Sequence, residues 1–297
     1  MRKQYSFQVN GKDYILGQRT WIMGVLNVTP DSFSDGGLYL DEDKAFARGL
    51  ELVEEGADIV DVGGESSRPG SDPTPAKEEL RRVIPVISKL REKTDVLISI
   101  DTTKAEVAEA AVSEGADIIN DISSLSFDAR MPALVSQKDV PLILMHMKGK
   151  PKTMQLNPYY EDLLAEVKSF FKEKLNKAHA YGIKKEKIIV DPGIGFGKRF
   201  EDNLTLINNL FFLEELERPI LAGISRKSFI ERILNVPPRE RVEGSIASAI
   251  MSIIRGAHIV RVHDVKAVKR AVLVAEAILN ESLYHTPERK KKESYVC

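Results

Sequence analysis

The chain has 297 residues, 43% hydrophobic and 29% charged, with 43 Lys plus Arg against 44 Asp plus Glu and a formal net charge of -1. That supplies material for a large core. It excludes a global field for gripping nucleic acid or an anionic membrane, so any anion must be held by a local cluster. The one cysteine, Cys297, excludes an intrachain disulfide or a cysteine-rich zinc site and fits a reducing cytoplasm. The opening MRKQYSFQVNGKDY carries charge without an apolar run, so it does not read as a signal peptide, and no apolar run has the length of a membrane span.

In chain order, Tyr5, Phe7 and Val9 alternate, Asn10-Gly11 supplies a turn, and Tyr14 to Leu16 return, which predicts a β-hairpin. Short apolar runs then alternate with helical patterns. The runs are 21–27, 58–63, 96–101, 117–121, 141–147, 187–193, 219–225 and 258–263, each nearly continuous in Val, Ile and Leu, as parallel strands covered on both faces require. Amphipathic stripes lie between them: Phe46, Leu50 and Val53; Leu163, Val167, Phe170 and Phe171; Ile246, Ile250, Ile253 and Ile254; Val268, Val272, Ala275 and Leu279. Gly56, Gly115, Gly182 and Gly256 follow such stripes where a left-handed C-cap needs glycine, and Pro85 in the 76–90 pattern predicts a kink. The phrases Gly56-Ala57-Asp58-Ile59, Gly115-Ala116-Asp117-Ile118 and Gly256-Ala257-His258-Ile259 repeat a helix end running into a strand. The expected fold is α/β, a single (β/α)₈ TIM barrel (19–283) with an N-terminal hairpin (1–18) and a polar tail (284–297); a doubly wound open sheet is the structural rival.

The strand ends carry the chemistry. They offer Asn27, Asp61, Asp101, Asn120 with Asp121, His146, Asp191, Arg226 with Lys227, and Arg261 with His263. In a barrel these ends converge on one mouth, where active sites are found. One polar strand end often only caps a helix, and Asp121, His146 and His258 fit that role. Asp101 and Asp191 can each accept two parallel N–H bonds from a planar heterocycle, Asn120 can donate and accept, and Arg261, His263, Arg68 and Asn27 suit an anion. The ring therefore suggests a flat guanidine-like group at one end and phosphate at the other. Two long loops, 28–37 around Phe33 and 63–73 around Arg68, have the composition of active-site lids. The segment DPGIGFGK (191–198) matches no standard phosphate loop, because Lys198 stands where a glycine would be needed. No zinc-hydrolase motif is present.

Together MGVLNVTPDSFSDGG, GADIVDVGGESSRPG, ISIDTTKAEVAEAA, GADIINDIS, LMHMKG, DPGIGFGK, GISRKSF and VRVHDV resemble the dihydropteroate synthase family of pterin-binding enzymes over almost the whole chain. The one departure in the second loop is Ser67, where threonine is commoner. The resemblance implies condensation of hydroxymethyl-7,8-dihydropterin pyrophosphate with p-aminobenzoate to give 7,8-dihydropteroate and pyrophosphate. It further implies Mg²⁺, a homodimer and small-molecule partners, in a family that is the target of sulfonamides as p-aminobenzoate mimics. By matched position it implies that Asp101, Asn120, Met145, Asp191, Phe196, Lys227 and Arg261 hold the pterin. Phe33, Ser67, Arg68, Pro69, Lys227 and Ser228 shape the aminobenzoate site. Asn27, Arg68, Arg261 and His263 meet the pyrophosphate, with Asn27 also at the metal. Asp35, Lys227, Arg261 and His263 are the implied catalytic groups, with Asp35 near the reacting methylene, where a carboxylate can stabilise the developing charge or accept the amine proton. Asp61, Asp121 and His146 then read as supporting residues. The alternatives are a pterin-dependent methyltransferase barrel, against which Arg68 in SSRPG argues, a Schiff-base aldolase using Lys227, and an inactive pterin-binding paralogue.

Overall fold

The Val/Ile runs become strands because β-branched side chains fit a pleated surface covered on both sides. A computed structural model describes residues 2–29 and 38–280. Strands β1 (Tyr5–Val9) and β2 (Lys12–Leu16) pair antiparallel around Asn10-Gly11, whose φ values of 50° and 74° are the left-handed pair a two-residue hairpin turn demands. Eight parallel strands follow: β3 (Trp21–Asn27), β4 (Ile59–Gly63), β5 (Leu97–Asp101), β6 (Ile118–Asp121), β7 (Leu142–Met145), β8 (Ile188–Asp191), β9 (Leu221–Gly223) and β10 (Ile259–Val262). Their hydrogen-bonded order is β8-β7-β6-β5-β4-β3-β10-β9, and a parallel bridge between Val190 and Ile220 joins the two ends, closing a (β/α)₈ barrel. The helices are α1 (Leu38–Glu54), α2 (Ala76–Lys93), α3 (Ala105–Ser113), α4 (Met131–Lys138), α5 (Leu163–Ala180), α6 (Phe200–Asn208), α7 (Ser228–Leu234), α8 (Val242–Ile254) and α9 (Val265–Leu279). Helix α2 is continuous through Pro85, and Gly56, Gly115, Gly182 and Gly256 all have positive φ, as helix ends of this kind require. The tail (284–297) lies outside the described residues.

Side chains alternate along each strand, and the two core layers show which way each residue points. Ile22, Val60, Val62, Ile98, Ile100, Ile119, Val190 and Val260 pack outward against the helices. Trp21, Met23, Ile59, Leu97, Ile118, Ile143, Ile189, Leu221 and Ile259 fill the barrel interior. Phe7, Val9 and Leu16 join this interior cluster, so the hairpin stoppers the N-terminal end of the barrel. His258 fastens it: Nδ1 accepts from Ile220 N at 3.1 Å and Nε2 lies 3.0 Å from Lys3 O. With the lower barrel filled by hydrocarbon and capped by the hairpin, only the C-terminal mouth is left to take a polar ligand.

Two stripe residues do not pack as the periodicity suggests. Ile254 is 50% and Leu279 53% exposed, alongside Met251, Leu273, Val274 and Ile278. The core-facing sides of α8 and α9 are supplied instead by Ala249, Ile253, Val265, Val268 and Val272. These helices therefore carry a second apolar face.

Candidate active site

Alternation sorts the strand ends. Because Ile118 faces inward and Ile119 outward, Asn120 must face the barrel axis and Asp121 must face away. Asp121 accordingly leaves the site: it accepts from Ser123 N (2.8 Å), Ser123 Oγ (2.6 Å) and Leu125 N (2.7 Å), capping the turn after β6. The same parity turns Asp61, Asp101, Met145, Asp191 and Arg261 inward. Asp101, Asn120, Met145, Asp191, Phe196, Lys227 and Arg261 line one cavity at the C-terminal mouth, together with Ser67, Gly223 and Ile194. Arg226 does not join them: its guanidinium is held by Asp264 at 3.0 and 2.5 Å.

The cavity is polar on its edges and apolar on one wall. Ile122, Met145, Met154 and Phe196 form a small hydrophobic cluster, and Lys227 Nζ sits 4.1 Å from the centroid of Phe196. Asp191 accepts from Gly193 N at 2.7 Å through Oδ1, while its Oδ2 faces Gly223, where a side chain would begin 3.5 Å away. Burial pushes the Asp191 carboxyl above its ordinary range. Burial also pushes Asp101 up to about 7, against the opposing charge of Arg261. Lys227 is drawn down to about 8, first by burial and then by Arg261.

Beneath these groups lies a bridge. The fully buried Asp61 uses Oδ2 to accept from Arg261 Nε at 2.5 Å and Asn120 Nδ2 at 3.2 Å. Arg261 Nη2 donates to Asp101 Oδ2 at 2.7 Å. Burial opposes the Arg261 charge, but Asp61 and Asp101 outweigh it and raise its pKa. One carboxylate thus orients an amide on one side of the cavity and a guanidinium on the other. Asp61, a supporting residue by sequence, thus links both sides of the cavity; its sequence signal is its place two residues below the mouth in inward register.

His263 follows β10 directly and is oriented by Ser225, whose Oγ lies 3.1 Å from Nδ1 and 3.2 Å from the backbone N. Burial, then the charges of Arg261, Arg226, Lys227 and Arg68, drive its pKa down to about 3, so the imidazole is neutral in a cationic corner. Asn27 is half-buried at the end of β3. Arg68 and Pro69 are exposed on the loop after β4, and Ser228, also exposed, opens α7. That loop is braced rather than loose: Ser71 Oγ has Ser66 O (2.6 Å) and Arg68 O (2.8 Å) within reach of its one proton, and Gly70 N donates to Pro151 O (3.1 Å). Phe33 and Asp35 lie outside the described residues.

Comparison with known proteins fits this geometry. The family model for pterin binding enzymes matches residues 23–263, from the first barrel strand to the imidazole of the cationic corner. The dihydropteroate synthase of Synechocystis sp. is 49% identical over 88% of this chain and 91% of its own length. Among solved structures, Xanthomonas albilineans dihydropteroate synthase with 4-aminobenzoic acid is 44% identical, with a TM-score of 0.88 over 94% of this chain and 99% of that one. Yersinia pestis dihydropteroate synthase in a sulfonamide drug complex is 43% identical, with a TM-score of 0.87 over 92% and 99%. The family match runs from within β3 to just past β10 and takes in the cavity residues that the strands carry, so the chain belongs to the pterin-binding enzymes, in their dihydropteroate synthase family.

Proposed function

We propose that the cavity binds hydroxymethyl-7,8-dihydropterin pyrophosphate and that the chain condenses it with p-aminobenzoate, giving 7,8-dihydropteroate and pyrophosphate. The observation that carries this reading is the division of one cavity into an acidic and amide edge beside a cationic corner. The Asp191 Oδ2 that faces Gly223, the Asp101 carboxylate and Asn120 suit the N–H groups of a pterin's guanidine-like edge, and Lys227 suits its carbonyl. Met145 and Phe196 cover a ring face, and the planar Arg261 guanidinium stacks on the other. Arg68, Arg261 and the neutral His263 Nε2–H suit the pyrophosphate.

In this reading the C–O bond to the leaving group lengthens first. Arg261 and Arg68 neutralise charge on the departing pyrophosphate and the neutral His263 donates a hydrogen bond to it, which lowers the barrier to its loss. The methylene becomes electron-poor, the arylamine nitrogen closes on it, and the nitrogen gives up a proton. We assign stabilisation of that methylene, or acceptance of the proton, to Asp35, and the walls of the aminobenzoate site to Phe33, Ser67, Arg68, Pro69, Lys227 and Ser228. Among the described residues no three His, Cys, Asp or Glu side chains form a metal cage, while Asn27 offers one neutral oxygen at the rim. That donor set fits Mg²⁺ held mainly through substrate phosphates and water, with Asn27 as its protein oxygen. When bound, the ion would add positive charge beside the leaving group.

We further propose a homodimer joined through the second apolar face of α8 and α9, since exposed apolar groups clustered on adjacent helices favour association. We read the hairpin (1–18) and the barrel (19–283) as one folding unit, because they share the interior cluster. No helix among the described residues is long and apolar enough to cross a membrane, and the single cysteine favours a cytoplasmic setting. Pyrophosphate release measured with each substrate alone and with both, plus Mg²⁺, tests the function. Release only with both supports the synthase, and pterin binding without release would indicate an inactive paralogue.

A further inference from the structure

The motif DPGIGFGK leaves Lys198 without a role in the chemistry above. The turn after β8 lies backbone on backbone against the segment after β7. A Cβ on Gly193 would stand 2.0 Å from His146 O, and one on Gly197 would stand 2.2 Å from Lys148 O. Packing this tight buries carbonyl groups that lie outside the strand ladder, of which Gly193 O accepts from Phe196 N at 3.0 Å within the turn. Lys198, 3% exposed, meets them with one ammonium. Its Nζ donates to Gly193 O at 2.8 Å, Phe196 O at 3.0 Å and His146 O at 3.2 Å, and lies 2.9 Å from His146 Nδ1. Burial, then the Lys198 charge, drives the His146 pKa down to about 2, so the ring is neutral, and burial draws Lys198 itself down to about 7. Lys198 itself does not line the cavity, but Gly193, Ile194 and Phe196 on the same turn do.

We propose that Lys198 is a positioning residue for the pterin pocket. It staples the turn 192–198 to the end of β7 from behind and so fixes the Gly193, Ile194 and Phe196 wall. The proposal rests on the functional reading above. A lysine suits the task better than a neutral donor, because an ammonium has three hydrogens to share among several converging acceptors. The ammonium acts through the turn and touches neither substrate nor leaving group.

The test is steady-state kinetics of the full chain with Mg²⁺ and both substrates, comparing wild type with Lys198→Met and Lys198→Arg, and with His146→Gln as a milder change. Loosening one wall of a pocket by a fraction of an ångström costs about tenfold or more in productive binding. The expected result for Lys198→Met is a rise of about tenfold in KM for the pterin pyrophosphate, with KM for p-aminobenzoate moving less than about threefold; Lys198→Arg recovers part of the loss. His146→Gln takes the ring nitrogen away from Lys198 Nζ, since the polar atoms of glutamine lie one bond further out, and should raise the pterin KM by about threefold. This variant keeps the test decisive where Lys198→Met fails to fold. A lysine that served stability alone would lower Tm and the active fraction while leaving both KM values at wild type, and that pattern, or an unchanged pterin KM in His146→Gln, would overturn the proposal. Absence of turnover in the wild-type control would instead strike the functional reading.

Discussion

Replacing Asp61 by alanine removes the one acceptor shared by Arg261 and Asn120. Breaking a buried ion pair by deleting one partner costs about 3–5 kcal/mol. Arg261 keeps its bond to Asp101, which places the expected cost near the lower end, at about 3 kcal/mol. For a domain of this size each kcal/mol moves Tm by about 2–4 °C, so the variant should melt about 6–12 °C below wild type. Activity should fall as well, because the guanidinium and the amide both lose their orientation: kcat/KM for the pterin substrate should drop by about tenfold to a hundredfold. Asp61→Asn separates charge from hydrogen bonding. Its amide oxygen can still accept both N–H groups, and its NH₂ can occupy the side where Asp61 Oδ1 has no hydrogen-bond partner among the described residues. It should therefore recover part of the stability and more of the kinetic loss. Thermal unfolding by circular dichroism and steady-state rates measure the two effects. An Asp61→Ala protein with wild-type Tm and wild-type pterin KM would refute the bridging role.

Asp101 must be ionised to accept pterin N–H groups, and its carboxyl is pushed up to about 7. kcat/KM for the pterin pyrophosphate should fall as pH drops through that value, while a profile flat from about pH 8 to about pH 6 would contradict the assignment. His258 is buried and neutral, its pKa depressed from 6.5 to about 4. The unfolded chain takes up a proton below 6.5 that the folded chain does not. This contribution is thus fully present above 6.5 and is lost, to the extent of roughly 3 kcal/mol, as pH falls to about 4. His258→Gln should flatten the stability curve across that window relative to wild type, as read by urea unfolding. Gly193→Ala sets a methyl 2.0 Å from His146 O at a φ of 66°, so it should lose about 2 kcal/mol or more and raise the pterin KM; a neutral effect would mean that the turn yields easily. Ile278→Glu should shift sedimentation toward monomer if α9 is the dimer face.

The barrel was legible because each strand is a continuous Val/Ile/Leu run, and the observed strands fall inside the runs at 21–27, 58–63, 96–101, 117–121, 141–147, 187–193, 219–225 and 258–263. The cavity residues were legible because polar groups close apolar runs. Whether such a group faces the axis depends on strand parity, and parity is visible only once each strand's inward residues are fixed by packing. Packing turns Asn120 to the axis and Asp121 away from it, in line with the capping role read for Asp121, whereas Arg226, one residue before Lys227 among the strand-end groups, is drawn off by Asp264. Asp61 was undervalued for a related reason. Its partner Arg261 is distant in the chain, and barrel closure alone brings them together. Lys198 read as a flaw in a phosphate motif because its acceptors are backbone carbonyls, which leave no mark in a sequence. Ile254 and Leu279 fit the helical period of a core stripe, yet helices that also carry an outer apolar face show the same period on two sides.

The most direct measurement is the product itself. The chain would be incubated with hydroxymethyl-7,8-dihydropterin pyrophosphate, p-aminobenzoate and Mg²⁺, and the mixture analysed by chromatography and mass spectrometry. The cavity described here predicts 7,8-dihydropteroate and pyrophosphate in equal amounts, with formation suppressed by a sulfonamide in competition with p-aminobenzoate. Pyrophosphate released without the arylamine, or no dihydropteroate from a folded protein that binds the pterin, would contradict it.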